Sequence, residues 1–313
     1  MRKEVLKYCF GLIILLLIAG VIFISSCERG NGNKSKQNPP PPLKKEKSAD
    51  LIIRERYKDT FSRFAEKSPE RIVSIAPSTT ELLFEYGVGN LICGAIEPHD
   101  FPSEALRLES VGNVALNMEK IVSLKPDIII GEKNLFLGQT ETLRELGIPL
   151  MFFDTRDVHD VFLDLMTLDM LFKQQKADDL YNEAIKVIEN VPPHEKGCRV
   201  AIIVSSAPMI LAAGDSFLSS LISYSGGVNI AGDISGDYVT LSREELITRN
   251  PEIILYTFNG IGEELMRDAS LKAVAAIKEN RMIEVNPDIF LRPTLRSIKE
   301  GGTALRTYCH KGK

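Results

Sequence analysis

"NMEKIVSLKPDIII" occupies residues 117–130, and "SREELITRNPEIIL" occupies residues 242–255. Aligned without a gap, both give a polar residue, a glutamate two positions later, two aliphatic residues, a proline, an acid and an aliphatic run. Asn117 and Ser242 are typical helix N-caps, and the aliphatic runs are typical of buried strands. The same helix–turn–strand unit therefore occurs twice, 125 residues apart, and predicts two similar lobes in one chain.

The two copies carry Glu119 and Glu244 at the same place, the second helical position. One interpretation is purely structural, because the helix dipole favours an acid there by roughly 0.3–1 kcal/mol. The other is recognition, since matching acids on two lobes are suited to meet two basic groups of a partner. A catalytic pair would have to lie within about 10 Å, which is not expected of positions in different lobes.

The remainder of the chain alternates strand and helix patterns, first from residue 71 to about 154 and again from residue 199. Two helical patterns, at about 158–174 and 176–191, separate the two stretches. Alternation of this kind favours parallel sheets in an α/β fold, here two β/α lobes with a cleft between them. Ser78 followed by Glu81 predicts a capping box at the first helix.

The N-terminus has the pattern of an export signal. Three basic residues within the first seven positions precede the uncharged segment 9–24, and small residues lead to Cys27. A transmembrane anchor is the alternative, but a spanning helix needs about 20 apolar residues. The ending at 24–27 resembles a bacterial lipobox, which predicts lipidation of Cys27. Residues 27–50 then contain four consecutive prolines and many lysines, which is typical of a disordered tether.

Composition and motifs exclude several classes of function. The net charge is −4, and −6 once residues 1–26 are removed, which disfavours nucleic acid as a partner. The sequence contains no P-loop, no GxSxG, no HExxH and no GxGxxG opening a first helix, so we expect no enzyme. Three scattered cysteines remain after the signal and lipid site, which predicts neither a zinc site nor a disulfide framework.

Four further segments, taken in order with the doubled unit, resemble the periplasmic binding proteins that serve ABC importers of ferric siderophores, haem and cobalamin. They are "RIVSIAPSTTELLFEYGVGNLICGA" (71–95), "LRELGIPLMFFD" (143–154), "GGVNIAGD" (226–233) and "FLRPTLR" (290–296). The resemblance implies two Rossmann-like lobes joined by a single long α-helix, the rigid class III arrangement. The predicted divisions are a signal peptide (1–26), a tether (27–50), an N-terminal lobe (51–172), an interlobe helix (173–193) and a C-terminal lobe (194–313).

The resemblance also implies partners. Glu119 and Glu244 match the two surface glutamates that dock on arginines of the dimeric permease, which works with an ATPase. The chain is thus expected to be a lipid-anchored, extracytoplasmic binding protein that captures a metal chelate and carries no cofactor or metal of its own. A lipid-anchored sensor or adhesin on the same fold is the alternative.

Ligand contacts are implied at seven positions. "EPHDFPSEA" (97–105) is similar to the loop of cobalamin-type members, although Asn113 stands where these often have Trp and the chain contains no Trp. Arg292 and Arg296 match an arginine pattern suited to an anionic chelate; the alternatives are surface solvation and placement at a helix N-terminus. His99 is a candidate for contact with the ligand's metal, or is simply exposed. The full candidate set is Pro98, His99, Asn113, Tyr238, Asp288, Arg292 and Arg296, with the ligand a corrinoid, a ferric siderophore or haem.

Overall fold

The computed structural model describes residues 47–133, 135–190 and 197–310. The predicted signal peptide, most of the tether and the lipidation of Cys27 lie outside these residues. Within the described residues, none of the helices is both long and apolar enough to cross a bilayer.

The first lobe is built on a parallel four-stranded sheet of order β2-β1-β3-β4. Its strands are Ile72–Ser74 (β1), Ile92–Ala95 (β2), Ile128–Glu132 (β3) and Leu150–Phe153 (β4). Its helices are Lys47–Arg56 (α1), Lys58–Arg63 (α2), Pro77–Tyr86 (α3), Met118–Ser123 (α4) and Thr140–Glu145 (α5), with 3-10 turns at Gly89–Leu91, Ser103–Arg107 and Leu137–Gln139.

Two helices, Val158–Phe172 (α6) and Ala177–Glu189 (α7), lead to the second lobe. Its strands are Cys198–Ser206 (β5), Met209–Ala212 (β6), Gly227–Asn229 (β7), Tyr238–Thr240 (β8), Ile253–Tyr256 (β9) and Met282–Glu284 (β10). Its helices are Phe217–Tyr224 (α8), Arg243–Arg249 (α9), Ile261–Arg267 (α10), Ala275–Lys278 (α11), Pro287–Phe290 (α12) and Gly302–His310 (α13), with a 3-10 turn at Ala269–Ala273 and a π-turn at Ser297–Gly301.

The second sheet repeats the first. Strands β7, β5, β9 and β10 pair in parallel, as β2, β1, β3 and β4 do, and the antiparallel strands β6 and β8 extend the sheet beyond β5. The doubled unit supplies α4 with β3 in one lobe and α9 with β9 in the other. The predicted α/β class and the repeat of the lobe are both confirmed.

The repeat extends to hydrogen bonds that explain the acid after each proline. In the first lobe, Asp127 N–H donates to the Arg71 carbonyl (2.8 Å), and Arg71 N–H donates back to the Asp127 carboxylate (2.9 Å). In the second, Glu252 N–H donates to the Arg199 carbonyl (2.8 Å), and Arg199 N–H donates to the Glu252 carboxylate (2.8 Å). Each acid thus fixes the start of its strand beside the first strand of its sheet.

Each arginine also donates to a carbonyl at the C-terminal end of the helix that precedes the paired acid. Arg71 Nε donates to the Leu124 carbonyl (3.1 Å), and Arg199 Nε donates to the Asn250 carbonyl (3.1 Å). The residue before each proline, Lys125 or Asn250, has a positive φ, 48° or 42°. In both copies the chain therefore passes from helix to strand through one residue in the left-handed region. In both, the arginine side chain donates hydrogen bonds to a carbonyl at the end of the helix.

One apolar core crosses the boundary between the lobes. It contains Ile72 and Ile130 of the first sheet, Ile202 and Leu255 of the second, and Leu165 of α6. Separate outer cores cover the far face of each sheet. Pulling the lobes apart would expose this shared core to water, so their packing is rigid.

The connection between the sheets consists of α6 and α7, and α7 corresponds to the interlobe helix predicted at 173–193. At its start, Lys176 Nζ donates to the Tyr86 carbonyl of the first lobe (3.2 Å). Near its end, Arg306 Nη1 of α13 donates to the Ile188 carbonyl (2.8 Å). Helix α7 thus reaches from one lobe to the other, with α6 packed beside it. Its role as the single connection stays a prediction.

Three local predictions need correction. Helix α1 begins at Lys47, inside the predicted tether, because Ile53 packs into the shared core and Asp50 pairs with Arg54 (2.8 Å). The sequence "ASLKAVAAIKEN" (269–280) predicts one continuous helix, but the chain is broken at Val274, whose backbone is extended. The predicted capping box at α3 is absent: the N-cap is Ala76, and the Glu81 side chain turns inward instead.

Candidate ligand cleft and docking surface

The carboxyl ends of β3 and β4 present acidic side chains toward the second lobe. Glu132 ends β3 and accepts a hydrogen bond from Ser78 Oγ of α3 (3.1 Å). Asp164 of α6 is buried beneath it and accepts one from Thr155 Oγ1 (2.6 Å). Burial raises the pKa of Asp164 to about 8, and burial followed by repulsion from Asp164 raises the pKa of Glu132 well above its usual range. Burial therefore favours the protonated form of both carboxyls, and a protonated carboxyl can donate a hydrogen bond.

Arg156 joins the two lobes across this face. Its guanidinium pairs with Asp154, which follows β4 (3.0 Å), and with Asp237, which precedes β8 (3.3 Å). Burial opposes ionisation of Asp154, but hydrogen bonds from Lys133 and Arg156 outweigh it and lower the pKa of Asp154. We call the face formed by Glu132, Asp154, Arg156, Asp164 and Asp237 the interlobe cleft.

A second group of charges lies between the lobes at the C-terminal segment. We call Glu81, Asp100, Asp288, Arg292 and Arg296 the arginine cluster. Arg292 Nη1 lies 2.9 Å from Asp100 Oδ1, and Arg292 Nη2 lies 2.8 Å from Asp288 Oδ1. Both arginines place Nη1 at 3.7 Å from Glu81 Oε2. The structure thus brings together Asp288, Arg292 and Arg296, three of the predicted ligand residues. They lie next to Asp100 in a loop of the first lobe and Glu81 in its helix α3.

The centre of the cluster is buried, and the pKa of its buried carboxyl is raised. Glu81 has no exposed side-chain surface (0%), and Arg292 keeps only 5%. Burial raises the pKa of Glu81 to about 7 despite the attraction of Arg292 and Arg296. Glu85 lies one turn further along α3 than Glu81. Burial, and then the charge of Glu81, raise the pKa of Glu85 to about 8. Glu85 also accepts the backbone N–H of Leu295 (3.1 Å).

Both arginines are engaged within the protein. Arg296 stacks over the Phe101 ring (3.9 Å from guanidinium carbon to centroid) and lies 3.4 Å from Glu300. Arg292 faces three carboxyls of the cluster. An anionic ligand would therefore have to displace existing carboxylate partners. The predicted ligand contact of these arginines stays a prediction.

The other predicted ligand residues lie at two places, the loop that begins at Pro98 with the nearby Asn113 turn, and strand β8. Gly112, just before Asn113, accepts the backbone N–H of Glu97 (2.9 Å), so the exposed Asn113 turn adjoins the loop that begins at Pro98. His99 Nε2 donates to the Leu108 carbonyl (3.0 Å), and burial lowers the pKa of this imidazole, so it stays neutral.

Tyr238 lies on β8 and packs with Leu291 against Val204 and Ile210. Burial raises the pKa of Tyr238 to about 12, so its hydroxyl remains a donor at physiological pH. Because Leu291 precedes Arg292, Tyr238 belongs to the same region as the arginine cluster. It supplies an aromatic face beside the cluster.

The sequence interpretation missed Glu81, Glu85 and Asp164. The spacing of Ser78 and Glu81 matched a capping box, so Glu81 was assigned to the helix N-terminus. Its carboxylate instead accepts a hydrogen bond from Thr294 Oγ1 in the other half of the chain (3.0 Å). A charged residue in the middle of an apolar helical stretch was the available signal, since such residues are rarely buried without a partner.

Glu119 and Glu244 are exposed at the second position of α4 and α9. Asn117 Oδ1 accepts from Lys120 N–H (2.9 Å), and Ser242 Oγ accepts from Glu245 N–H (3.1 Å), so both predicted N-caps are confirmed. Hydrogen bonds from its own backbone N–H and from Ser242 lower the pKa of Glu244. The two helices occupy equivalent places in the two lobes, because β3 pairs with β1 as β9 pairs with β5.

Comparison with known proteins assigns this two-lobed chain to a family. A family model described as periplasmic binding protein matches residues 72–289. The chain belongs to this family. Members of this family and the relatives below are binding proteins, so the expectation that the chain is not an enzyme is confirmed.

Three relatives illustrate the range of ligands and settings. The uncharacterized ABC transporter substrate-binding lipoprotein YvrC of Bacillus subtilis is 26% identical, over 92% of this chain and 93% of its own. The crystal structure of the periplasmic vitamin B12-binding protein BtuF of Vibrio cholerae is 26% identical, with a TM-score of 0.65 over 78% of this chain and 99% of its own. That of a possible iron-binding, periplasmic solute-binding protein of Staphylococcus epidermidis is 27% identical, with a TM-score of 0.67 over 77% and 99%.

Proposed function

We propose that the protein is the lipid-anchored, extracytoplasmic substrate-binding component of an ABC importer. It captures a metal chelate between its lobes and presents it to the permease dimer, which an ATPase drives. The observation that carries this proposal is the pair Glu119 and Glu244, exposed on equivalent helices of two rigidly packed lobes. The lipoprotein relative and the vitamin B12-binding relative support the same proposal.

The docking role follows from charge and geometry. Each carboxylate stands at the N-terminus of a capped helix, where the helix dipole stabilises a negative charge. Rigid lobes keep the two acids at a fixed separation, so a dimeric partner with one basic group per subunit can meet both at once. Lipid attachment at Cys27 would raise the local concentration of the protein beside that partner.

The ligand we favour is a chelate with little negative charge, with a corrinoid ahead of ferric siderophores and haem. The two arginines that could attract an anion already face carboxyls. The interlobe cleft offers Glu132, whose pKa burial raises well above its usual range, together with the Asp154 and Asp237 carboxyls. Such groups suit amide side chains, which both donate and accept hydrogen bonds. Tyr238, His99 and Asn113 are the candidate contacts on the rim.

A ligand screen tests the choice of cargo. The exported chain, purified in detergent, is incubated with cobalamin, haem and a panel of ferric siderophores, and absorbance is read after gel filtration. We expect retention of cobalamin above the others. Retention of none would overturn the chelate proposal, and preferential retention of an anionic siderophore would overturn the assignment of ligand charge.

An uptake assay tests docking separately. Reversal of both acids, Glu119→Arg with Glu244→Arg, should abolish ligand-dependent uptake and leave ligand retention unchanged, because the positive charges repel the basic partner groups. The matched control is Glu141→Arg with Glu263→Arg, since both acids are exposed in the first turns of other helices. Loss of ligand retention in the first variant would place the acids in the ligand site instead. Retained ligand with uptake unaffected by deletion of the protein would favour a sensor.

A further inference from the structure

Two large apolar side chains are exposed next to each other on α1. Leu51 is 66% exposed and Ile52 is 56% exposed, whereas the following residue, Ile53, is buried in the core shared by the lobes. The inner face of α1 is therefore packed, and its outer face holds two aliphatic side chains in water. Aliphatic residues that are exposed singly are ordinary, but neighbouring ones indicate a contact surface.

Three exposed cations flank this apolar pair. Arg54, Arg56 and Lys58 all lie on the outer side of the same helical turns. Helical spacing puts Arg54 and Lys58 in one row with Leu51, and Arg56 in the next row with Ile52. We call these five residues the α1 patch. Its combination of aliphatic and basic side chains is typical of helices that lie on a membrane surface.

The α1 patch lies toward the carboxyl end of β4. The Tyr57 hydroxyl donates to the Phe152 carbonyl near the end of β4 (2.6 Å), and Arg63 Nη1 donates to the Gly147 carbonyl before β4 begins (3.5 Å). The backbone N–H of Tyr57 keeps a helical hydrogen bond to the residue four positions earlier (3.0 Å), so the chain stays helical from α1 to α2. Leu51 therefore lies about 9 Å beyond Tyr57 in the direction of that end of the strand.

The proposed docking acid of the first lobe lies at the same end. Arg71, just before β1, donates to the carbonyl of Leu124, just after α4 (3.1 Å), so α4 ends at the amino end of the sheet. The N-terminus of α4, with Glu119, therefore points toward the carboxyl ends of the strands. A transporter that meets Glu119 would bring its own bilayer to the end of the lobe that carries the α1 patch.

The charge of the chain is divided in the way that a membrane contact requires. Residues 28–63 contain ten basic and five acidic residues, whereas residues 64–313 contain 25 basic and 36 acidic ones. Acids are interspersed with the cations of α1, where Asp50 pairs with Arg54 (2.8 Å), but the excess in this segment is positive. An anionic surface would therefore attract the N-terminal segment and repel the rest of the chain.

We propose that the α1 patch lies on the anionic phospholipid headgroups of the membrane that holds the lipid anchor. This inference rests on the proposed lipidation of Cys27. Leu51 and Ile52 enter the interface between headgroups and acyl chains, and the three cations lie beside lipid phosphates. Nineteen residues separate Cys27 from Lys47, where α1 begins, and a fully extended segment of that length spans at most about 70 Å. The anchor thus keeps the α1 patch close to the bilayer.

The contact would orient the protein. A lipid anchor on a tether leaves the folded body free to turn, whereas a second point of attachment determines which end of the first lobe faces the bilayer. The end that carries Glu119 would then face the membrane in which the transporter lies.

A tryptophan reporter tests the contact, because the chain contains no Trp. Ile52→Trp is introduced into the full lipidated protein, which is reconstituted in vesicles of phosphatidylcholine and phosphatidylglycerol. We expect its emission to shift to shorter wavelength and to be quenched by lipids brominated on their acyl chains. Met266→Trp in the second lobe is the matched control, since Met266 is 54% exposed, and it should show neither change. Quenching that is absent from Ile52→Trp, or equal in both variants, would overturn the proposal.

Vesicle sedimentation then separates the α1 patch from the lipid. The mature chain, residues 27–313 with Cys27→Ser, should bind vesicles that contain phosphatidylglycerol more tightly than vesicles of phosphatidylcholine alone, and added salt should weaken this binding. Leu51→Ser/Ile52→Ser should weaken it by about tenfold or more. Arg54→Gln/Lys58→Gln should weaken it by about fivefold for each charge removed.

The control for charge is Lys272→Gln/Lys278→Gln, which removes two exposed lysines of the second lobe and should leave binding unchanged. Equal binding to both kinds of vesicle, or an equal loss in the control, would contradict a contact through the α1 patch. Binding that requires the permease would assign the patch to a protein partner and would also overturn the proposal. Ligand retention and the mass of the Cys27 peptide, measured on the wild-type protein, report the proposed function independently.

Discussion

Two pairs of glutamates in this molecule behave in opposite ways. Glu119 and Glu244 are exposed, one on each lobe, and each stabilises its own helix. Glu81 and Glu85 lie one turn apart on α3, enclosed by the C-terminal segment that carries Arg292. The exposed pair leaves its charge available to a partner, whereas the buried pair needs protons or arginines to exist at all.

The largest effect on stability should come from substituting a residue that surrounds the buried pair. Arg292→Met keeps the volume of the side chain but removes the guanidinium that contacts Asp100 and Asp288, and one of the two that face the buried Glu81. We expect a loss of about 3–5 kcal/mol in the free energy of unfolding, because removal of one partner strands buried charge. Urea unfolding followed by circular dichroism measures it.

Arg144→Met serves as the control, since Arg144 pairs with Glu141 on the exposed surface. Surface pairs of this kind contribute about 0–1 kcal/mol. If Arg292→Met and Arg144→Met destabilised the chain equally, the arginine cluster would not be an internal structural element, and its arginines would be available to a ligand.

A second effect should appear as a dependence of stability on pH. Burial raises the pKa of Glu85 to about 8 from an ordinary value of 4.5. Between these values the folded chain holds a proton that the unfolded chain has lost, so stability falls as pH rises. The contribution is fully present below about pH 4.5 and fully lost above about pH 8, with a slope of about 1.4 kcal/mol per pH unit.

Glu85→Gln isolates this contribution, because an amide oxygen can still accept the Leu295 N–H. We expect the variant to lose less stability than the wild type between pH 5 and 8, and Glu141→Gln to follow the wild type. Thermal unfolding across that range provides the measurement. Parallel curves for all three proteins would show that Glu85 ionises normally.

The smallest effect belongs to the exposed pair. Glu119→Gln and Glu244→Gln remove two charges from helix N-termini, and each should cost only about 0.3–1 kcal/mol of stability. Uptake should nevertheless fall sharply, because the carboxylates are proposed to meet the permease. A stability loss above about 3 kcal/mol for the double variant would mean that the pair is structural, as in the first interpretation of the sequence.

The sequence predicted what is local and repeated. Neighbouring residues determine the helix caps at Asn117 and Ser242, the buried strands and the alternation of elements. The structure confirms these predictions. It also placed Arg292 and Arg296 in the candidate ligand set through their resemblance to a family pattern, and Asp288 through its position.

The sequence could not reveal contacts between distant segments. Glu81 meets Thr294 more than 200 residues later, and nothing near either residue indicates the other. The antiparallel pairing of β6 with β8 was missed because a helix and a strand lie between these two strands in the sequence.

The core shared by the two lobes has a consequence for how the protein melts. Independent domains unfold in separate steps, but here Ile72, Ile202 and Leu165 bury one another across the boundary. Neither sheet keeps its packing once the other is lost, so we expect calorimetry to record a single cooperative transition with equal calorimetric and van't Hoff enthalpies. Two resolved transitions would mean that the lobes are energetically separate.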